Sequence, residues 1–296
     1  MKDGLLRGLV LGTALLCTVT RCVQLILFFD AESGFTTDGG WLSALIVVLA
    51  GLSLLLPVWR VDGRELLLPE GRRVLCGLAA LLGGLAMLAG AVFAVLAGPP
   101  VSSAMLFSLL TRSTYVACVA TTALGGIALC WLGVCHLLGR APFAGCRWLC
   151  LLPVLTVGVR ALYLFAVYSP EDLAFSNLLN WGALVLLLCF FTRLGRAFTA
   201  EEAPESLPPE LLVFAAGAAA VGLACSAPNL LCLALGRACV RSADTAHQLA
   251  VLGMALYALA FALSLCIRQR RRRFGPRREN APLPKEHIAQ DLPENV

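Results

Sequence analysis

Two arginines stand in stretches of sequence that are otherwise apolar, Arg21 within residues 5–29 and Arg160 within residues 148–168. A guanidinium stays charged at any accessible pH, and its planar fork can hold a carboxylate through two parallel hydrogen bonds. Sunk in hydrocarbon, such a group costs roughly 2.5–3.5 kcal/mol on insertion scales, so it turns inward and takes a partner. Gln24 and Tyr163 lie about one helical turn beyond the two arginines and add polar atoms on the same faces. Ser226 and Asn229 flank Pro228 inside another apolar run. A proline there frees a carbonyl four residues back, so we expect residues 226–229 to interrupt the helix, either as the lining of a cavity or gate or as a plain structural kink. The resulting expectation is a ligand-binding centre made by Arg21, Arg160, Gln24, Tyr163, Ser226 and Asn229 for a small anionic or carboxylate-bearing solute. The competing expectation is that each arginine reaches the acids of its own turn, Asp30 or Glu32 in one case and Glu171 or Asp172 in the other, and only pins a helix hairpin.

Little else in the chain can do covalent or redox chemistry. His136 reads as a lone interfacial residue, His247 as a helix-edge residue and His287 as part of a polar tail, none beside an acid in sequence. With 3 histidines in all, a zinc protease or a histidine-dependent phosphatase is hard to build. Glu201-Glu202 resembles the start of a CAAX-protease motif, but the arginine such a motif places shortly afterwards is missing. Neither a phosphate-binding glycine loop nor a rhomboid-type serine motif occurs. Most of the 13 cysteines fall inside apolar runs, where they act as small apolar residues. Pairs such as Cys17/Cys22 and Cys130/Cys135 have neither CxxC nor zinc-knuckle spacing, and Cys146/Cys150 has only His136 nearby. We therefore expect no catalytic residue, metal or cofactor, and a chain that is not an enzyme.

Composition dictates what must hold the candidate residues in place. The chain has 296 residues, 59% hydrophobic and only 14% charged, with a mean hydropathy of +0.84. Soluble domains carry about 25% charged residues. In a bilayer every backbone amide must be satisfied internally, so apolar runs of about 20 residues mean spanning helices. Eight such runs are legible, at 5–29, 41–59, 74–97, 115–138, 148–168, 178–198, 211–235 and 247–267. Residues 102–110 are too short to span and read as a surface or re-entrant segment. The first run follows Lys2 but has no small-residue cleavage site, so it is read as a retained helix and not a signal peptide.

Charge orients the bundle. With the N-terminus inside, the Lys and Arg flanking the runs, up to Arg278, fall seventeen to three on the cytoplasmic side, which places both termini there. Trp41, Tyr115, Tyr168 and Trp181 then mark the outer interface, and Trp59 and Trp148 the inner one. The loops after the first and fifth runs carry acids only. Heavy use of Arg over Lys and 27 glycines point to a GC-rich genome, and we expect a bacterial cytoplasmic membrane.

The two halves share sparse landmarks. Leu16, Arg21, Leu25 and Glu32 recur 139 residues later as Leu155, Arg160, Leu164 and Glu171, and Trp41 recurs at 140 as Trp181. Pro69-Glu70 matches Pro209-Glu210, and Arg112-Ser113 matches Arg241-Ser242. The expected architecture is an all-α bundle of two parallel four-helix repeats, 1–138 and 139–267, with small-residue packing in the third and seventh helices. A basic tail, 268–296, follows; it has too little apolar content to fold alone. Arg270, Arg271, Arg272 and Arg273 there are expected to bind anionic lipid, and nucleic acid is not expected as a partner. The best expectation for the whole is a permease-like or solute-binding membrane protein. The alternative is a non-enzymatic membrane subunit or regulator acting through its helix faces and tail.

Overall fold

Among the described residues eight helices are each long and apolar enough to cross a membrane, which fits a multi-pass membrane protein. A computed structural model describes residues 2–30, 36–61, 64–67, 73–98, 105–140, 147–167, 174–199, 207–236 and 245–269. The helices are α1 (Lys2–Leu27), α2 (Trp41–Val61), α3 (Val74–Ala97), α4 (Met105–Leu138), α5 (Leu151–Val167), α6 (Ala174–Thr199), α7 (Pro209–Ala234) and α8 (Thr245–Ser264). A 3-10 turn, Arg147–Cys150, leads into α5. Their surface is apolar where a soluble protein would be charged: Leu82, Leu96, Phe165 and Trp59 are all more than half exposed. Such a surface is what hydrocarbon solvates.

Glycine decides how closely the helices approach. A Cβ on Gly83 of α3 would sit 2.4 Å from the Gly253 carbonyl oxygen of α8, and the reverse substitution meets Gly83 at the same distance. On another face of α3, Gly77 and Gly84 meet Gly133 and Gly126 of α4 backbone to backbone. Small residues thus let α3 join two neighbours where hydrophobicity supplies no drive between helices. Helix α7 is the enclosed centre, 83% of its apolar stretch being buried, and it packs on α1, α2, α6 and α8. Within each half, α1 pairs with α2 and α3 with α4, as α5 does with α6 and α7 with α8. Between halves the main pairings are α3 with α8, α4 with α5, and α7 with α1 and α2.

Three local expectations are corrected. Residues 105–110 are not a separate segment but the first turns of α4, because no proline or glycine lies between Met105 and Tyr115 to stop the helix. Helix α7 runs unbroken through Pro228. The side chains flanking the proline bond back to their own helix: Ser226 Oγ donates to the Gly222 carbonyl at 2.6 Å, and Asn229 Nδ2 to the Cys225 carbonyl at 2.9 Å. Finally, α8 ends at Ser264, and the chain continues as strand β2 (Cys266–Gln269), antiparallel to β1 (Arg64–Leu67). The Leu207 amide donates to the Leu66 carbonyl at 2.7 Å, so three connections meet around the fully buried Leu66.

The odd-numbered helices end, and the even-numbered ones begin, at the pole that carries Asp30 and Asp38. That pole is called the acidic end below. At the opposite, basic end, Arg193 of α6 pairs with Glu210 in the first turn of α7 at 2.8 Å. A carboxylate there also complements the positive end of the α7 dipole.

Candidate functional site

A layer of buried polar residues crosses the bundle near its acidic end. It contains both arginines: Arg21 is 3% exposed and Arg160 2%. Every ligand-binding residue expected from sequence belongs to this layer, but the structure divides them into separate groups.

The first group is built on α1. Arg21 Nη1 donates to Gln24 Oε1, one turn on, and Nη2 donates to Ser176 Oγ of α6 at 2.5 Å. Its guanidinium carbon also lies 5.2 Å from the centre of the Phe175 ring, within cation–π range. Gln24 passes the interaction onward. Its Nε2 donates to Ser43 Oγ at 2.8 Å and to Asp38 Oδ2 at 3.2 Å, and Asp38 Oδ2 also accepts the Leu42 amide at 3.1 Å. Burial pushes the Asp38 carboxyl up, but bonds from Thr36, the Leu42 amide and Gln24 outweigh it and hold the group below its ordinary 3.8. The guanidinium thus reaches an acid of its own turn through one amide. That acid is Asp38; Glu32 lies outside the described residues.

The second group is built on α5. Arg160 Nη2 donates to Thr122 Oγ1 of α4 at 2.6 Å, while its Nε and Nη1 are buried with no hydrogen-bond partner. The acids expected to hold it, Glu171 and Asp172, lie outside the described residues. It lines a cavity between α3, α4, α5 and the start of α8. Tyr163 stands one turn beyond it, its ring 5.7 Å from that of Tyr115. Tyr115 in turn donates to the Ala94 carbonyl at 2.6 Å. Ala91, Ala94 and Ala246 form the small apolar walls. The cavity is about 10 Å³, which is room for on the order of one water. Arg160 is seven residues from the end of α5 at Val167, hence roughly 10 Å below that end at 1.5 Å per residue.

A third group fills the space between. Cys225 of α7 donates to Asn180 Oδ1 of α6 at 2.6 Å and lies 4.0 Å from Gln248 Oε1 of α8. Ser226 and Asn229 serve the α7 backbone, as described, and Asn229 Oδ1 and Asn177 Nδ2 are buried without partners. Next to Gln248, His247 is buried beside Arg160, and its Nε2 also has no partner. Consecutive residues of α8 therefore face the α7 group and the Arg160 group. Of the residues expected to share one centre, Arg160 and Tyr163 line the cavity, while Arg21, Gln24, Ser226 and Asn229 belong to the other two groups.

Sequence reasoning missed Thr122, Ser176, Asn177, Asn180 and Gln248, polar residues inside otherwise apolar helices. Their only signal was that setting, since a polar residue at membrane depth turns to the bundle interior. His247 is no edge residue, and neither is His136 a lone interfacial one. His136 is 1% exposed, its Nε2 lies 3.2 Å from the Tyr257 hydroxyl, and the two rings stack at 6.1 Å near the basic end. Arg270, Arg271, Arg272 and Arg273 lie outside the described residues. Among the described residues no group of His, Cys, Asp or Glu is placed to hold a metal. Comparisons with protein-family models, curated proteins and solved structures returned no match.

Proposed function

We propose that the chain is a permease-like, solute-binding membrane protein whose ligand is a small anion held by Arg160. The observation that carries this reading is the state of that side chain: 2% exposed, two of its three nitrogens without a partner, and a cavity against it. An unsatisfied buried donor costs about 1–3 kcal/mol, and more when charged. An anion at Arg160 would remove that cost, whereas a residue kept only for packing would not retain it. The Lys and Arg distribution supports an orientation with both termini cytoplasmic, so the acidic end and the cavity face outward. The shared landmarks 139–140 residues apart support two four-helix repeats that have diverged at their polar centres. The basic tail from Arg268 would hold the inner face to anionic lipid.

A second reading, a non-enzymatic subunit or regulator, draws support from the small size of the cavity and the close α3–α8 contact at Gly83 and Gly253. Proteoliposomes holding the purified chain separate the two. Anion efflux above that of empty vesicles, lost in Arg160→Leu protein that still purifies as a monodisperse species, is the result expected of a permease. Efflux equal to that of empty vesicles would remove the permease reading and leave the subunit.

A further inference from the structure

The Arg160 cavity restricts its ligand by charge, by size and by the chemistry of its walls. Among the described residues that line it, Arg160 is the one Lys, Arg, Asp or Glu. In a low-dielectric interior one guanidinium is neutralised by one negative charge, and a divalent anion would leave a charge uncompensated. The space is about 10 Å³, close to one water, so a monatomic ion fits with slight movement of the lining and an organic acid does not. Ala91, Ala94, Cys118 and Val119 contribute wall without strong donors, which favours an anion that gives up its water cheaply. Two donors wait at Arg160, its Nε and Nη1. The lining runs from Ala94, Tyr115 and Ala246 at the acidic end of their helices down to Thr122 and Arg160.

Resting on the reading of Arg160 as the solute-binding cation, we infer that the site between α3, α4, α5 and α8 takes a halide-sized monovalent anion and excludes sulfate and organic carboxylates.

The full chain in nanodiscs tests this. Thermal unfolding is compared in sodium bromide, acetate, gluconate and sulfate at equal ionic strength, together with the bromide-81 NMR line width. Bromide should raise the midpoint while gluconate and sulfate do not, and excess line broadening should fall at least five-fold in Arg160→Gln. Ala91→Leu, which fills the cavity and keeps the charge, should abolish the bromide effect too, and provides the test should Arg160→Gln not fold. Replacing the four arginines 270–273 by Gln should leave the response intact, which separates the cavity from the basic tail. Acetate or gluconate stabilising the wild type but not Arg160→Gln would overturn the halide assignment and leave Arg160 as an anion site. A response to all salts that Arg160→Gln and Ala91→Leu both retain would overturn both.

Discussion

Arg21 and Arg160 lie 139 residues apart, each buried in an apolar helix near the same end of the bundle, yet their surroundings differ. Arg21 has an amide, a hydroxyl and an aromatic face around it, and its amide partner continues to Ser43 and Asp38. Arg160 has Thr122 and a cavity. A buried charge with a full shell acts as a brace, because its neighbours depend on it. One with an open shell is a cost the fold carries, and its use must come from outside the fold.

The sharpest way to break this contrast is to remove each charge. Arg21→Leu strands Gln24 and Ser176 in the interior and should lower stability by about 3 kcal/mol, the scale for taking one partner out of a buried charged network. Arg160→Leu strands little, since Thr122 Oγ1 still donates to the Cys118 carbonyl at 2.6 Å. In the absence of ligand it should leave stability unchanged or raise it by about 1 kcal/mol, because the insertion cost of the charge disappears. Unfolding midpoints of the two variants in ligand-free buffer check the pair. Equal losses would mean that both arginines are braces.

How much of this was readable beforehand depends on the kind of signal. The eight spans and the depth of both arginines follow from runs of apolar residues, which the bilayer forces into helices whatever else happens. The difference between the arginines depends on Ser176 and Thr122, contributed by helices 155 and 38 residues away from them in sequence. No periodicity announces such a partner, because one hydroxyl on a helix face is as consistent with a bond to its own backbone. The same limit explains Pro228: the proline is visible in sequence, but whether Ser226 and Asn229 bond the local backbone or a ligand is a matter of rotamer. The β1–β2 ladder joins segments about 200 residues apart that are too short and too polar to announce a strand.

A smaller effect sharpens the comparison by moving one region and leaving the other. Gly90 of α3 faces the start of α8 beside the Arg160 cavity, and a Cβ there would lie 3.1 Å from the Ala246 carbonyl oxygen. Gly90→Ala should displace that end of α8 by a few tenths of an ångström and cost about 1 kcal/mol, the low end for overpacking. The anion response attributed to Arg160 should weaken. Arg21 is held by α1 and α6, so the further loss on adding Arg21→Leu should simply sum with that of Gly90→Ala, as expected for distant sites. A non-additive double variant would show that the two groups are one network.

Acidification provides the mildest perturbation, and on the Arg21 side it is read at Asp38. The Asp38 carboxyl is held below its ordinary 3.8 in the folded chain. Its contribution to stability is therefore fully present above pH 3.8 and is lost as the pH falls through the lower folded value. Between pH 5 and pH 3 the wild type should lose a fraction of a kcal/mol more than Asp38→Asn, which keeps the shape but has no proton to take up. The two proteins should run parallel above about pH 5. Because Gln24 joins Asp38 to Arg21, the pH-dependent difference should shrink when Gln24→Leu is introduced into both. A difference that survives that change would place the Asp38 contribution in the α2 N-terminal bond to Leu42 and not in the Arg21 brace.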